Sequence, residues 1–143
     1  VRAALCDALL GLQRGDDVLA LTRGREADDT LLLRQALALA QRRDGSERDA
    51  VAQLRERFGT QRQRGDATHL REEAVFALDL EHDAARALQL AQQNWQQQHE
   101  PADARILFRA AYARGDARSL ASLRAWVTQS GLHDAQLAPG ART

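Results

Sequence analysis

A regular alternation of helical stretches and short breaks constrains this chain more than any other feature. Within residues 67–130, apolar side chains recur with helical spacing over four stretches, at residues 68–80, 84–98, 102–113 and 117–130. The breaks between them are only a few residues long, so successive helices are expected to pack antiparallel as hairpins. Each hairpin spans about 34 residues, and tandem hairpins of that period are typical of helical solenoids.

Proline, aspartate and glycine mark the ends of these helices. Pro101 lies near the start of a helix, where its missing N–H has no helical partner in any case. Asp116 is the predicted N-cap of the last helix, and Gly131 is its predicted left-handed stop. Trp95 and Trp126 fall on the apolar stripes of their helices. Both tryptophans are therefore predicted to lie in the core.

The first half of the chain carries the same pattern, but fewer residues there mark the ends of the helices. We predict helices over residues 1–13, 17–23, 28–43 and 47–63. Gly15 is the predicted stop of the first helix, and Asp28 or Asp29 caps the third. Ser46 is the predicted cap of the fourth. Gly59 lies inside that fourth helical pattern at a cost of about 1 kcal/mol relative to alanine, which predicts a kink or an earlier end.

Length and composition fit one domain. The chain has 143 residues, of which 44% are apolar and only 4% aromatic, so the helices must pack closely through alanine and leucine. We place a single helical domain over residues 1–137 and a disordered tail over residues 138–143. The hairpins of this domain fall at about residues 1–24, 28–63, 67–98 and 101–130.

The charge balance bears on the classes of partner. Twenty basic and twenty acidic residues give a net charge of zero, which removes the bulk electrostatic argument for binding nucleic acid or an anionic membrane. No apolar run reaches the ~18 residues that span a bilayer, so no membrane insertion is expected. Nucleic-acid binding stays a weaker alternative through a local arginine patch, at Arg55, Arg57, Arg62 and Arg64.

The N-terminal helix carries the single cysteine and an apolar surface. Cys6 cannot form an internal disulfide, does not distinguish cytoplasm from periplasm, and is predicted to be a small buried residue. The chain contains no methionine and opens at Val1 in helical pattern, so we expect a piece of a longer protein whose targeting segment lay upstream. Such an end would expose Leu5, Leu9 and Leu12, and we expect a weak homodimer through it.

Motifs that suggest chemistry have simpler structural explanations. Arg-Gly-Asp occurs three times, at residues 14–16, 64–66 and 114–116. Each copy fits a glycine helix stop followed by an aspartate cap. His69 shares a helix face with Glu72 and Glu73, but no metal-binding spacing accompanies them. With no phosphate-binding loop and no nucleophile motif, the sequence predicts no enzyme, no cofactor and no metal.

The turn residues and small apolar positions resemble those of tetratricopeptide repeats (TPRs). Residues 64–66, 71–73 and 94–105 are similar to blocks in degenerate bacterial TPR-like proteins. The TPR pattern places an aspartate at the turn of each hairpin, as at Asp16, Asp44, Asp83 and Asp116. The chain lacks the early tryptophan of that pattern and carries Leu120 at a usual alanine position.

The resemblance implies a right-handed α-solenoid of antiparallel helix hairpins whose first helices line a concave, peptide-binding face. The TPR register assigns nine residues to that face: Arg34, Leu37, Gln41, His69, Glu73, Phe76, Arg105, Arg109 and Tyr112. Arg105 and Arg109 lie one turn apart and are expected to hold a carboxylate, with Phe76 and Tyr112 as apolar anchors. The Lys/Asn clamp for a terminal carboxylate is absent, so no chaperone-tail binding is expected.

The sequence therefore predicts a non-catalytic protein-interaction scaffold that binds a protein or peptide segment. One alternative stays open: the chain is the recruiting or regulatory arm of a larger enzyme or signalling protein whose catalytic domain lies outside this sequence. The full reading frame distinguishes the two. A second alternative concerns the arginines, which could pair only with carboxylates of the chain itself, such as Asp103 or Glu73.

Overall fold

The computed structural model describes residues 1–137, and α-helices make up most of them. In chain order the helices are α1 (Arg2–Gly11), α2 (Gly15–Thr22), α3 (Asp29–Gln41), α4 (Arg48–Gln63), α5 (Leu70–Asp79), α6 (Ala84–Gln97), α7 (Pro101–Arg114) and α8 (Ala117–Ser130), followed by a short 3-10 turn (Ala135–Leu137). No strand occurs within residues 1–137, which confirms the all-α class. None of the described helices is long and apolar enough to cross a bilayer. The predicted tail, residues 138–143, lies outside the described residues.

The chain divides into two compact units, Val1–Thr68 and His69–Thr143. The first contains α1 to α4, and the second contains α5 to α8 with the 3-10 turn. Within each unit, helices that follow one another in the chain pack together, and the first helix also contacts the third. The single domain over residues 1–137 and the solenoid of hairpins stay predictions.

Small and aliphatic side chains fill the first unit. Cys6, Leu9, Val18 and Ala38 form a buried cluster between α1, α2 and α3. Burial raises the pKa of the Cys6 thiol, and the negative charge of Asp7 acts in the same direction. The prediction of a buried Cys6 is confirmed, whereas the expectation that Leu9 is exposed is wrong, because α1 turns this residue into the cluster.

The second unit has a larger core, drawn from all four of its helices and from the 3-10 turn. Its centre is rich in alanine, which lets the helices approach closely, and Leu107 and Leu123 are buried there. Trp95 and Trp126 pack against this core. Their rings also contact each other edge to face, with centroids 5.1 Å apart. Both rings are only partly buried, so the tryptophans lie at the rim of the core and not at its centre.

The helix ends of the first unit differ from the sequence predictions at two positions. Gly15 does not stop α1 but is the first residue of α2, and the left-handed residue that ends α1 is Gln13 at φ 58°. Ser46 does not cap α4, because the N-cap position is Glu47 and no side chain caps that end of the helix. The Ser46 N–H donates to Asp44 Oδ1 at 3.0 Å in the preceding turn.

The start of α3 and the course of α4 bear on two further predictions for this unit. Asp28 caps α3 as predicted, since its Oδ1 accepts from the N–H groups of Thr30 at 2.9 Å and Leu31 at 3.2 Å. The predicted earlier end at Gly59 is wrong, because α4 continues through this glycine to Gln63.

The helix ends of the second unit follow the sequence more closely. Helix α8 has the predicted bounds, and Gly131 ends it at φ 65°. Pro101 opens α7, where the N–H of Glu100 donates to Asp103 Oδ2 at 2.8 Å. Asp116 precedes α8 as predicted, but its carboxylate accepts from the Ser119 hydroxyl at 2.7 Å instead of from a backbone N–H.

The three Arg-Gly-Asp copies do not share one geometry. Gly65 and Gly115 have the expected positive φ of 70° and 66°, whereas Gly15 lies inside α2. Asp66 accepts from the N–H of Thr68 at 2.8 Å and so closes a turn before α5 without capping that helix. The explanation by a glycine stop and an aspartate cap therefore holds only in part.

Candidate functional site

One side of α7 carries four residues that are suited to binding. One face of the helix carries Arg105, Phe108, Arg109 and Tyr112, which lie at offsets of 0, 3, 4 and 7 residues. Tyr112 is 57% exposed, and its ring stacks on Phe108 with centroids 6.2 Å apart and an interplanar angle of 28°. The stack fixes the tyrosine ring while leaving most of it accessible, as in aromatic residues of protein interfaces.

Arg109 is paired with a carboxylate from the end of α5. Its Nη1 donates to Asp79 Oδ2 at 3.0 Å, and its Nη2 donates to Asp79 Oδ1. This two-point contact orients the guanidinium plane. The side chain of Arg109 is still 38% exposed, so it remains accessible beside Phe108 and Tyr112.

Arg105 is paired with the segment that follows α8. Its Nε donates to Asp134 Oδ2 at 2.8 Å, and the Asp134 side chain is only 6% exposed. The two terminal nitrogens of Arg105 make no hydrogen bond to any residue in the described part of the chain. A guanidinium carries five N–H donors, so Arg105 keeps four of them for a further acceptor.

The predicted site residues of the first unit are turned towards α1. Arg34 donates two hydrogen bonds of 2.9 Å to the carboxylate of Asp7, and Gln41 donates to the carbonyl oxygen of Leu10 at 2.9 Å. Leu37 lies between them on α3 and is half-buried. Arg34 and Gln41 are therefore engaged by α1, which packs against α3, and their assignment to a peptide-binding concave face stays a prediction.

The predicted site residues of α5 are enclosed in a similar way. Helix α5 contacts both α6 and α7, and none of its residues is exposed. Phe76 is fully buried and cannot serve as an apolar anchor for a ligand. Glu73 is buried and accepts from Arg86 Nη2 at 2.5 Å. His69 is half-buried at the N-cap of α5.

A buried polar network next to these helices was not anticipated from the sequence. The fully buried carboxylate of Asp103 accepts from Asn94 Nδ2 at 2.7 Å, from Arg71 Nη1 at 3.2 Å and from the N–H of Glu100. Burial works to lower the pKa of Arg71, but its hydrogen bond to Glu100 and the charges of Glu72 and Asp103 outweigh burial and raise that pKa. Both carboxylate oxygens of Asp103 have hydrogen-bond donors, and the network joins α5, α6 and α7. Its one sequence signal is an acidic residue three positions after Glu100.

The arginine patch of the first unit borders an open groove of about 420 Å³ on α4. Arg57 is already bound within the chain, since its Nη1 donates to Asp29 Oδ1 and to the Glu26 carbonyl oxygen, both at 2.8 Å. The groove also contains Glu56, so its charge is mixed. Among residues 1–137, no group of three or more His, Cys, Asp or Glu side chains is arranged to hold a metal ion.

Comparison with known proteins adds no assignment to this geometry. No protein-family model, curated protein or solved structure matches the chain. The α7 surface, defined here as Arg105, Phe108, Arg109 and Tyr112, therefore carries the functional argument by itself.

Proposed function

We propose that the chain is a non-catalytic protein-interaction module and that the α7 surface binds an acidic segment of a partner protein. The observation that supports this most directly is Tyr112, which is 57% exposed beside two arginines. The other exposed large apolar residues of the described chain are Val1, Leu5 and Leu12. Tyrosine and arginine are the residue types that most often dominate binding energy at interfaces.

The chemistry of the surface favours a carboxylate ligand. Arg105 keeps its terminal nitrogens available, and Arg109 uses two of its five N–H donors on Asp79. A partner carboxylate placed over the two guanidinium groups would accept charge-assisted hydrogen bonds, each worth about 1.5–3 kcal/mol if shielded from water. The Tyr112 ring would cover an apolar neighbour of that carboxylate. Because the arginines are partly exposed, binding would weaken with salt.

We further propose that the helices belong to a right-handed, TPR-like solenoid of hairpins. In support, consecutive helices pack together in each unit, and the first and third helices of each unit also touch. This order of contacts is typical of stacked hairpins. The proposed binding site is confined to α7, because the predicted binding residues of α3 contact α1 and those of α5 are covered by the second unit.

A selection from random-sequence peptides displayed on phage tests the proposed function. Peptides that bind the intact chain should be enriched in aspartate and glutamate, next to an apolar residue. The double variant Arg105→Ala/Arg109→Ala and the variant Tyr112→Ala should each reduce this enrichment by about tenfold or more, as expected for the loss of at least 1.4 kcal/mol.

The matched control is Arg114→Ala/Arg118→Ala, which removes two exposed arginines outside the α7 surface. It should leave the enrichment unchanged. Circular dichroism and melting temperature must first show that all variants fold. Enrichment that is independent of charge, or that both Arg105→Ala/Arg109→Ala and Tyr112→Ala retain in full, would contradict the proposal.

A further inference from the structure

Residues 132–137, which follow α8, fold back onto α7. Gly131 has a left-handed backbone conformation and turns the chain at the end of α8. Residues 132–137 follow and end in the 3-10 turn, which contacts α7. Three side chains of this segment are covered by the second unit: Leu132 packs against the core, Asp134 is 6% exposed, and Leu137 belongs to the buried cluster. The residues between them, His133, Ala135 and Gln136, are exposed.

Asp134 is the charged anchor of this segment, and its geometry is fully defined. Oδ2 accepts from Arg105 Nε at 2.8 Å, and Oδ1 accepts from the N–H of Gln136 at 2.9 Å. The Leu137 N–H donates to the Asp134 carbonyl oxygen at 3.0 Å and closes the 3-10 turn. This turn brings Leu137 to the core while Asp134 meets Arg105. The contact therefore has the form of an acidic residue followed three positions later by leucine.

We propose that residues 132–137 are an internal ligand of α7 at Arg105, and that a partner supplies to the same place a segment of the same kind, an acidic residue followed three positions later by leucine. This inference rests on the proposed function and names its ligand and its regulation. A partner segment binds at Arg105 after the internal segment has been displaced. The internal segment thus lowers the apparent affinity of α7 for its partner.

The number of anchors makes such displacement feasible. The segment is attached to the second unit through three covered side chains and a single ion pair. Segments with few buried contacts open at lower free energy than the helices they cover. Because the segment is tethered, its effective concentration at α7 is of the order of millimolar. The apparent affinity for an external peptide equals the intrinsic affinity multiplied by the fraction of time that the internal segment is displaced.

The test uses a fluorescent peptide with the sequence of residues 131–137, Gly-Leu-His-Asp-Ala-Gln-Leu, added to the full chain. In the variant Asp134→Ala/Leu137→Ala the internal segment has lost two anchors, and the peptide should bind at least about tenfold more tightly than to the wild-type chain. A peptide with asparagine in place of its aspartate should bind the variant at least about tenfold more weakly. The matched control chain is Gln136→Ala, which changes an exposed residue of the same segment and should behave as wild type.

Two results overturn the inference. One is equal peptide binding by the wild-type chain and the double variant, and the other is no binding by either. If loss of Leu137 prevents folding, Asp134→Ala alone is judged by the same tenfold criterion. Backbone hydrogen exchange gives an independent reading: Arg105→Ala should speed exchange at Gln136 and Leu137, and unchanged exchange there contradicts the role of Arg105.

Failure of this inference differs from failure of the proposed function. If the random-peptide selection depends on Arg109 and Tyr112 but the 131–137 peptide does not bind, the internal-ligand inference is wrong and the proposed function stands. If the peptide binds the released chain while the selection shows no preference for acidic peptides, the segment is an intramolecular clasp, and both the proposed function and the partner motif are wrong.

Discussion

Asn94 donates a hydrogen bond of 2.7 Å from its Nδ2 to the fully buried Oδ1 of Asp103, and this bond joins α6 to α7. Asn94 itself is 3% exposed. A hydrogen bond to a buried carboxylate is expensive to lose, because water cannot replace the missing donor. We predict that Asn94→Ala lowers the free energy of unfolding by about 1.5–3 kcal/mol, measured by chemical denaturation.

The neighbouring residue on α6 provides the control for this substitution. Gln93 is exposed, so Gln93→Ala should change the free energy of unfolding by no more than about 0.5 kcal/mol. If the Asn94 and Gln93 variants unfold at the same denaturant concentration, the hydrogen bond from Asn94 to Asp103 contributes nothing to the stability of the second unit.

Two helical glycines of the first unit, Gly15 and Gly59, lead to opposite predictions. A Cβ added at Gly59 would meet only Arg62 Nη2 at 3.9 Å, so Gly59→Ala should stabilise α4 by about 0.5–1 kcal/mol. A Cβ added at Gly15 would lie 3.0 Å from Gln41 Oε1 and 3.2 Å from the Ala38 carbonyl oxygen. Because the carbonyl belongs to the α3 backbone, Gly15→Ala should destabilise by about 1–3 kcal/mol. A Gly15→Ala chain that melts no lower than wild type would contradict the close packing of α2 on α3, and a Gly59→Ala chain that melts lower than wild type would contradict the open space beside Gly59.

The sequence predicts the helices well because helix formation is mostly a local matter. The spacing of apolar residues, the helix start at Pro101 and the helix stop at Gly131 locate α7 and α8 to within a residue. The errors fall where a distant contact decides. Gly15 reads as a helix stop, but the absence of a side chain serves the packing of α2 on α3.

The exposure of the predicted site residues could be read from the sequence less well, because it depends on which helices pack over them. The contacts that settle it join residues far apart in sequence: Arg109 meets Asp79 across 30 residues, and Arg105 meets Asp134 across 29. A repeat register assigns Phe76 to an open face, yet α5 packs on both α6 and α7. The second alternative for the arginines, pairing with carboxylates of the chain itself, describes both contacts.

The buried thiol of Cys6 predicts a dependence of stability on alkaline pH. Burial raises its pKa in the folded chain above the ordinary value of 9.0. Well below pH 9 the thiol is protonated in both states, and its contribution to stability is fully present. As the pH rises from the unfolded pKa towards the folded one, the unfolded chain loses its proton first and is favoured. We predict that between pH 8 and pH 10 the free energy of unfolding falls more steeply for the wild-type chain than for Cys6→Ala, measured by urea denaturation at each pH. Parallel curves for the two proteins would show that the thiol ionises equally in both states.

The outer side of α1 leads to a prediction about self-association. Leu5 is 49% exposed and Leu12 is 67% exposed. Their spacing of seven positions amounts to nearly two helical turns, so the two share a face with exposed Ala8. Apolar side chains grouped on one face favour contact with a second copy. We predict a weak dimer in sedimentation velocity at about 100 μM, where a free energy of association near −5.5 kcal/mol becomes visible. Leu5→Gln/Leu12→Gln should sediment as a monomer, whereas Ala20→Gln, at an exposed position of α2, should still form the dimer. A wild-type chain that stays monomeric at that concentration would leave the α1 surface without a role in self-association.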